Sequence, residues 1–425
     1  MTHRHSTLSN GLQIVTANMA DAYSATISVY VGVGSRYENY ATQGGISHFL
    51  EHLLFKGTPK RPSSKIISEQ IDAVGGWNNA YTSNELTSFY FKVPHQHTAL
   101  GLDILADMLR NSLLDPDEID RERGVVLEEM NVYRDDPASF VHQLAPPLLW
   151  PGHPLGRPLL GSEEVIRSIQ RQTIADYLHQ HYQPRNLVVV AAGRVNHAAL
   201  VKQAEQLFGD MKGSAPAPAQ PVTKSLATTR VAVQQKDTAQ AHLTIGTVAY
   251  PYRHPNEPAA RLIAAILGRG SSSRLYLNVR EKQGLAYSVG AGTENFVDTG
   301  EFEIYAGVTV AKQADAITAI IEELRLIARQ SVGEEELSKA KNQMRGGLQM
   351  AMESNSAVAD RLGIQQLLLG EIRSVEQTLA EIDAVTAADV TRVATEMLAP
   401  NRLRLGIISP EPDAAVATFD RLTQK

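Results

Sequence analysis

Apolar and polar positions alternate along two stretches near the N-terminus, in the pattern of β-strands. Residues 25–33 place Ala, Ile and Val at every second position, and residues 86–93 alternate in the same way. A period of two puts such side chains on one face of a sheet. Between these stretches, residues 63–74 carry apolar side chains at helical spacing and stop at a pair of glycines, which predicts an amphipathic helix.

The second half of the chain shows the same mixture of patterns. Phe302, Ile304 and Ala306 mark a strand, and residues 314–329 have the spacing of a long helix. The segment 213–221 is rich in proline and alanine and has no periodicity, which is typical of an extended linker. We therefore expect an α+β protein with two mixed α/β domains, residues 1–212 and 230–425, joined by a linker at 213–229.

The two halves also match each other weakly. Three segments of the first half can be laid over segments of the second in the same order and at nearly constant offset: 48–57 over 261–270, 117–123 over 335–341, and 184–188 over 400–404. This regularity favours a duplicated domain. Chance similarity between helices of like amphipathicity is the alternative.

Composition narrows the chemistry that the chain can carry out. There are 13 His, 46 Asp and Glu, and no Cys among 425 residues. The lack of cysteine excludes disulfides and a Cys nucleophile, and leaves His and carboxylates as metal ligands. The net charge of −6 argues against a nucleic-acid partner. No apolar run approaches the length of a membrane-spanning helix, so we expect a cytoplasmic protein without a membrane partner.

The segment His48-Phe-Leu-Glu-His52 concentrates the candidate chemistry on an otherwise apolar stretch. At about 100° per residue, His48 and His52 lie about 40° apart on one face of a helix, and Glu51 lies about 60° from His48. Two imidazoles one turn apart can share a metal ion while the carboxylate faces its open coordination position, as in the inverted form of the H-E-x-x-H motif. The alternative is a surface helix with two unrelated histidines, which the apolar surroundings disfavour.

A catalytic zinc ion needs a third protein ligand. The acidic segment that follows residue 113 offers Glu118, Glu122 and Glu129, which fall within about 40° of one another on a helical wheel, whereas Glu128 is rotated away by about 100°. We expect Glu129 to be the ligand and Glu122 to hydrogen-bond a ligand histidine. An ordinary solvated face is the alternative for Glu118 and Glu122.

With these segments in view, the chain resembles the pitrilysin superfamily of metallopeptidases (peptidase family M16, the inverzincins). The likeness is closest to its short-chain branch, which includes the mitochondrial processing peptidase and bacterial homologues. It rests on residues 45–58, 75–82, 122–129, 152–157 and 272–287. The resemblance implies that His48, His52 and Glu129 bind one Zn²⁺ per chain and that Glu51 is the catalytic base. Glu122 would then contact a ligand residue without binding the metal itself.

The resemblance also implies how a substrate is held. An extended peptide would pair with the strand that contains Asn79, Ala80 and Tyr81 by strand addition, and Arg280 and Tyr287 would contact it and stabilise the oxyanion. An ordinary edge strand and a structural ion pair of Arg280 are the alternatives. Family members of this length pair two chains into a closed clamshell chamber, so we expect a homodimer, with a heterodimer as the alternative.

The predicted function is therefore that of a zinc-dependent endopeptidase acting on short or unfolded peptides. Zinc would polarise the scissile carbonyl and acidify a bound water, and Glu51 would take the proton and pass it to the leaving amine. The second domain is expected to lack a metal set and to supply substrate-binding residues, since Arg261 and Ala265 align with the two histidines. A non-catalytic scaffold and a partner-dependent subunit are the alternatives, and manganese or cobalt would also suit these ligands.

Overall fold

The computed structural model describes residues 2–214, 216–223 and 226–424. Within them the strands are β1 (His3–Thr7), β2 (Gln13–Asn18), β3 (Ser24–Val31), β4 (Trp77–Thr82), β5 (Thr87–Pro94), β6 (Leu187–Gly193), β7 (Val231–Gln235), β8 (Gln240–Ala249), β9 (Ala286–Asn295), β10 (Gly300–Thr309) and β11 (Arg404–Ser409). The α-helices are α1 (Tyr40–Gln43), α2 (Ile46–Leu54), α3 (Ser64–Asp72), α4 (Thr98–Asn111), α5 (Pro116–Asp135), α6 (Pro137–Phe140), α7 (Pro146–Leu149), α8 (Glu163–Ser168), α9 (Arg171–His181), α10 (His197–Phe208), α11 (Glu257–Gly268), α12 (Gln313–Arg329), α13 (Glu334–Ala351), α14 (Asn355–Ile364), α15 (Val375–Ala384), α16 (Ala387–Met397) and α17 (Asp413–Thr423).

The elements predicted from periodicity are confirmed. The stretches of alternating residues are β3 and β5, and the helical stretches are α3 and α12. The segment with the two histidines is α2, which ends before Gly57. Positions 215, 224 and 225 of the predicted linker, and the ends of the predicted domains at 1 and 425, lie outside the described residues. The described residues between 213 and 229 form neither helix nor strand.

The described chain forms two compact units, each with one mixed sheet. Unit 1 comprises Met1–Met130, Pro158–Gln220 and Gln349–Ser374. Unit 2 comprises Asn131–Arg157, Pro221–Leu348 and Val375–Lys425. Unit 1 thus includes Gln349–Ser374, which follows the predicted linker, and unit 2 includes Asn131–Arg157, which precedes it. A division of the chain at 213–229 alone would assign each of these segments to the other domain.

The physical reason for the extra segment in unit 1 is the burial of its sheet on both faces. All residues of β6 are buried, and a strand of continuous apolar residues needs cover on each side. Helix α14 supplies the cover on one face, where Val358 and Leu362 join a cluster with Val188 and Val190. The approach is close, because a Cβ atom at Gly363 would lie 2.1 Å from the ring of Tyr30.

Apart from the additional edge strand β1 of the first sheet, the two sheets share one strand order, which supports the predicted duplication. The first runs β1-β2-β6-β3-β5-β4 and the second runs β7-β11-β8-β10-β9. In each sheet the late-sequence strand (β6 or β11) pairs in parallel with one neighbour and antiparallel with the other. The fold is therefore two similar mixed α/β domains, as expected.

Helix α2 lies on the other face of the first sheet from α14. Its apolar residues Phe49, Leu50 and Leu53 are buried in the core that also contains β3 and β5, so its histidine face is fixed by the packing of the opposite face. In the part of the chain that the structure describes, no helix combines the length and apolar character needed to cross a bilayer.

Candidate metal centre

The start of α2 is held by a buried carboxylate. Oε2 of Glu38 accepts the backbone N–H of Gly45 at 2.7 Å, and Oε1 accepts that of Ser47 at 2.9 Å. A carboxylate at this end satisfies N–H groups that have no partner within the helix. Burial raises the pKa of Glu38 to about 7, although both backbone hydrogen bonds lower it. No pattern in the sequence indicates this residue, which lies ten positions before His48.

His48, His52 and Glu129 come together as expected. Nε2 of His48 lies 3.6 Å from Oε1 of Glu129, and Nε2 of His52 lies 3.5 Å from Oε2. One donor atom from each residue falls within 4.8 Å of the others. Donor atoms around a tetrahedral zinc ion lie about 3.3 Å apart, given bonds of about 2.0–2.1 Å. The three side chains therefore have the spacing of a metal site.

The protonation of His48 also suits a metal. Burial, and next the neighbouring His52, lower the pKa of His48 to about 4. The imidazole of His48 is therefore neutral near pH 7, with a lone pair available to a cation. Metal ligands must be in this deprotonated form, so His48 is in the form that a zinc ion needs, and the two His and one Glu are residue types that bind zinc.

Glu122 contacts the Nδ1 side of the His52 ring, opposite the Nε2 atom that faces Glu129. The Nδ1–H of His52 donates to Oε2 of Glu122 at 3.2 Å, and the ammonium of Lys56 donates to Oε1 at 2.6 Å. Glu122 is only 4% exposed, so this carboxylate belongs to the interior and not to the solvated face that was the alternative. Its bond to Nδ1 leaves Nε2 of His52 facing Glu129, which fixes the tautomer that a metal needs. Lys56 was not predicted.

Glu51 lies beside the cluster and is held by the neighbouring strand. Its Oε2 accepts a hydrogen bond from the hydroxyl of Thr82 at 2.6 Å. Burial raises the pKa of Glu51, while the bond from Thr82 and the charge of His52 lower it. A carboxylate whose pKa is moved towards neutrality is a better proton acceptor at physiological pH. Thr82 was missed, although it directly follows Tyr81 in the predicted substrate strand.

The predicted substrate strand is β4, the edge strand of the first sheet. Among the described strands it pairs only with β5. The backbone N–H of Ala80 donates to Oδ1 of Asn79 at 2.9 Å. The hydroxyl of Tyr81 donates to Asp360 of α14 at 2.5 Å, which ties the edge strand to the helix that covers the sheet.

Arg280 and Tyr287 also lie together, within unit 2. The guanidinium of Arg280 is 5.5 Å from the ring centre of Tyr287 and 4.7 Å from that of Tyr276. Tyr287 is 73% exposed. The ion pair of Arg280 with Glu281 is long, at 4.0 Å, so a structural salt bridge is a weak account of this residue.

Known proteins match this chain along most of its length. Residues 13–163 match the family described as insulinase (peptidase family M16), and residues 168–344 match the peptidase M16 inactive domain. A zinc protease of Streptomyces coelicolor is 38% identical over 97% of this chain and 90% of its own. The Bacillus subtilis zinc protease YmxG is 36% identical over 95% of this chain and 97% of its own.

Solved structures agree with the fold. A protease from Helicobacter pylori superposes with a TM-score of 0.91 at 25% identity, over 96% of this chain and 99% of its own. A peptidase M16 inactive-domain protein from Pseudomonas fluorescens gives a TM-score of 0.88 at 16% identity, over 97% of this chain and 98% of its own. The second likeness concerns the fold alone.

Proposed function

The chain belongs to peptidase family M16, and from that premise we propose that it is a zinc-dependent endopeptidase acting on short or unfolded peptides. One observation carries the proposal. His48, His52 and Glu129 place three donor atoms within 4.8 Å, and Glu51 stands one position before His52 with its carboxylate held by Thr82. A metal set with an adjacent, oriented carboxylate is the arrangement that hydrolysis of an amide requires.

Each side chain then has a separate task. His48, His52 and Glu129 hold the ion, and Glu122 keeps the Nε2 atom of His52 directed at it. When bound, zinc polarises the scissile carbonyl and lowers the pKa of a water molecule. Glu51 takes the proton from the attacking water and delivers it to the nitrogen of the leaving amine as the C–N bond breaks.

Strand β4 is the proposed substrate platform. An edge strand offers unpaired backbone groups to an extended peptide and leaves the choice of side chains loose. The N–H of Ala80 is at present satisfied by the side chain of Asn79, so we propose that a substrate carbonyl replaces this contact. Thr82 ends the same strand and holds Glu51, which would keep the bound peptide and the base in register.

Arg280 and Tyr287 are proposed to bind the substrate and stabilise the oxyanion. Their support is that they lie side by side and that Tyr287 is exposed to a ligand. We further propose a homodimeric chamber in which this pair completes the zinc site of the partner. Mixing the Glu51→Gln and Arg280→Ala variants, each inactive alone, should then restore cleavage. A mixture as inactive as its components would contradict the shared site.

The test of the main proposal is cleavage of a quenched, unstructured peptide. Wild-type protein should cleave it, a chelator should stop cleavage, and added zinc should restore it. Glu51→Gln should retain zinc and lose activity by about 10²-fold or more, because it cannot accept the proton. Glu128→Gln, next to the ligand Glu129 but outside the donor set, is the matched control. Full activity of Glu51→Gln would refute the assignment, and no cleavage by zinc-loaded dimer would favour a scaffold role.

A further inference from the structure

Strand β4 lies at the edge of the first sheet, and its position depends on contacts outside the sheet. Among the described strands, its only partner in the ladder is β5, whereas β3 is paired with β5 on one side and with β6 on the other. A strand with a single partner is more easily displaced than one held from both sides. The side-chain contacts of β4 therefore determine where a peptide added to its free edge would lie.

Two consecutive side chains hold the end of β4 on opposite faces of the sheet, as the alternation of a strand requires. On the face covered by α2, the hydroxyl of Thr82 donates to Glu51. On the face covered by α14, the hydroxyl of Tyr81 donates to Oδ1 of Asp360 at 2.5 Å. Asp360 is thus the counterpart of Glu51 on the opposite face, and the two carboxylates together fix the end of the strand.

The acceptor oxygen of Asp360 is shared by two phenols and is itself held in place. The hydroxyl of Tyr30 in β3 donates to the same Oδ1 atom at 3.2 Å. Burial raises the pKa of both Tyr30 and Tyr81 well above the usual range of a phenol, so each keeps its proton and acts as the donor. A separate bond from Thr26 to Asn355, at 3.2 Å, holds α14 on the sheet without the help of Asp360.

A cavity of about 250 Å³ lies beside the contact between Tyr81 and Asp360. Tyr81, Asp360 and Tyr90 are among the residues that line it, so packing does not enclose the ring of Tyr81 on that side. A side chain in a close-packed core keeps its place through packing alone, whereas one beside open space can move. The hydrogen bond to Asp360 therefore decides where Tyr81, and with it the end of β4, is held.

We propose that Asp360 is a positioning residue for peptide binding, which fixes β4 through Tyr81 and thereby sets the register of a bound peptide relative to Glu51. The inference rests on the proposed function for its choice of an extended peptide as ligand. Asp360 acts through Tyr81, 279 positions away in the chain, and not on the reacting atoms. A purely structural bond would contribute to stability alone, whereas a positioning bond also changes the affinity of the folded protein for the peptide.

Peptide affinity measured without turnover tests the proposal. The full chain carrying Glu51→Gln is the parent and is titrated into a labelled, unstructured peptide. Adding Tyr81→Phe or Asp360→Ala should weaken binding at least about fivefold, because a hydrogen bond to a charged group is lost and the strand is released. The double variant should bind no more weakly than the weaker single one, since both changes remove the same bond. Tyr30→Phe removes the other phenol from the same oxygen and is the matched control. It should keep the parent affinity, because β3 is held by two neighbouring strands.

Hydrogen exchange and kinetics give two further readouts. The backbone amides of residues 77–82 should exchange faster in Tyr81→Phe and Asp360→Ala than in the parent or in Tyr30→Phe. In the protein with Glu51 intact, Tyr81→Phe should raise KM as well as lower kcat, since β4 holds the peptide and also carries Thr82. Asp360→Asn retains an acceptor oxygen and should recover part of each loss.

Each outcome decides the matter. Parent affinity in both Tyr81→Phe and Asp360→Ala, or an equal loss in Tyr30→Phe, would overturn the proposal. A lower melting temperature with unchanged affinity would also overturn it, because the bond would then be structural only. Asp360-dependent binding by a protein whose intact form cleaves nothing would refute the proposed function and leave the positioning role standing. Cleavage with unchanged KM and kcat in Tyr81→Phe would do the reverse, and a parent that binds no peptide would refute both.

Discussion

The hydroxyl of Thr82 donates a hydrogen bond to Oε2 of Glu51 at 2.6 Å. Thr82 is the last residue of edge strand β4, and Glu51 lies in α2. The bond therefore links the strand proposed to hold the peptide to the carboxylate proposed to move its proton. A displacement of the strand would displace the carboxylate of Glu51 as well, so we propose that this contact couples substrate position to catalysis.

Replacing Thr82 by valine tests that coupling. Valine keeps the shape of the side chain but cannot donate to Glu51, so the carboxylate loses its fixed orientation. We expect kcat to fall about tenfold or more with little change in KM, because small misplacements of catalytic groups are costly. Thr82→Ser retains the hydroxyl and should recover most of the loss. Equal kcat values for the valine and serine variants would show that the hydrogen bond has no positioning role.

Glu122 is expected to control metal affinity more than catalysis. Glu122→Gln removes the charge that orients His52 and pairs with Lys56, and loss of such a contact typically weakens metal binding by about 10–100-fold. Competition with a zinc chelator measures the affinity, and cleavage at saturating zinc measures the remaining activity. Glu118→Gln, on the same helix face but paired with Arg121, is the control. Unchanged zinc affinity in Glu122→Gln would contradict the orienting role.

Local spacing was sufficient to predict the elements and the proximity of the three side chains in the candidate metal site. The face shared by His48 and His52 follows from their separation along one helix, and the apolar residues of α2 dictate which face points inwards. Glu129 was predicted from helical geometry on a second segment with an acidic stripe. Such features depend on a few consecutive residues, and the structure places them as expected.

The contacts that sequence reasoning missed are those between distant segments. Glu38 reaches the start of α2 from a loop, Thr82 reaches Glu51 from another element, and Asp360 binds Tyr81 across 279 positions. No periodicity marks these pairs. The exchange of segments between the two units was missed for the same reason. The apolar sequence of β6 indicates that both faces of the strand are buried, but it does not indicate which segment of the chain packs against the second face.

The buried carboxyl of Glu38 predicts a pH-dependent contribution to stability. Its pKa is raised to about 7 in the folded protein from an ordinary value of about 4.3. Between these values the unfolded chain has released the proton and the folded protein still holds it, so the free energy of unfolding falls as pH rises. Urea unfolding of metal-free wild type and Glu38→Gln at pH 5 and pH 8 measures this contribution. The advantage of wild type should be smaller at pH 8, and an advantage that grows with pH would show an ionised carboxylate in the folded state.

Glu301 should make the folded protein less stable than it would be without the charge. Burial, and then the charges of Glu303 and Glu294, raise the pKa of Glu301 well above its usual range. An acid with a raised folded pKa loses stability as pH climbs through the interval above about 4.3. Glu301→Gln removes that loss, so we expect the variant to be more stable than wild type at pH 8 and nearly equal to it at pH 4.5.

Thermal or urea unfolding at the two pH values provides the measurement, with Glu335→Gln as an exposed control that should change neither. If Glu301→Gln instead destabilises the protein at both pH values, the carboxyl group of Glu301 makes a stabilising contact in the folded protein, and its burial is not a net cost to unit 2.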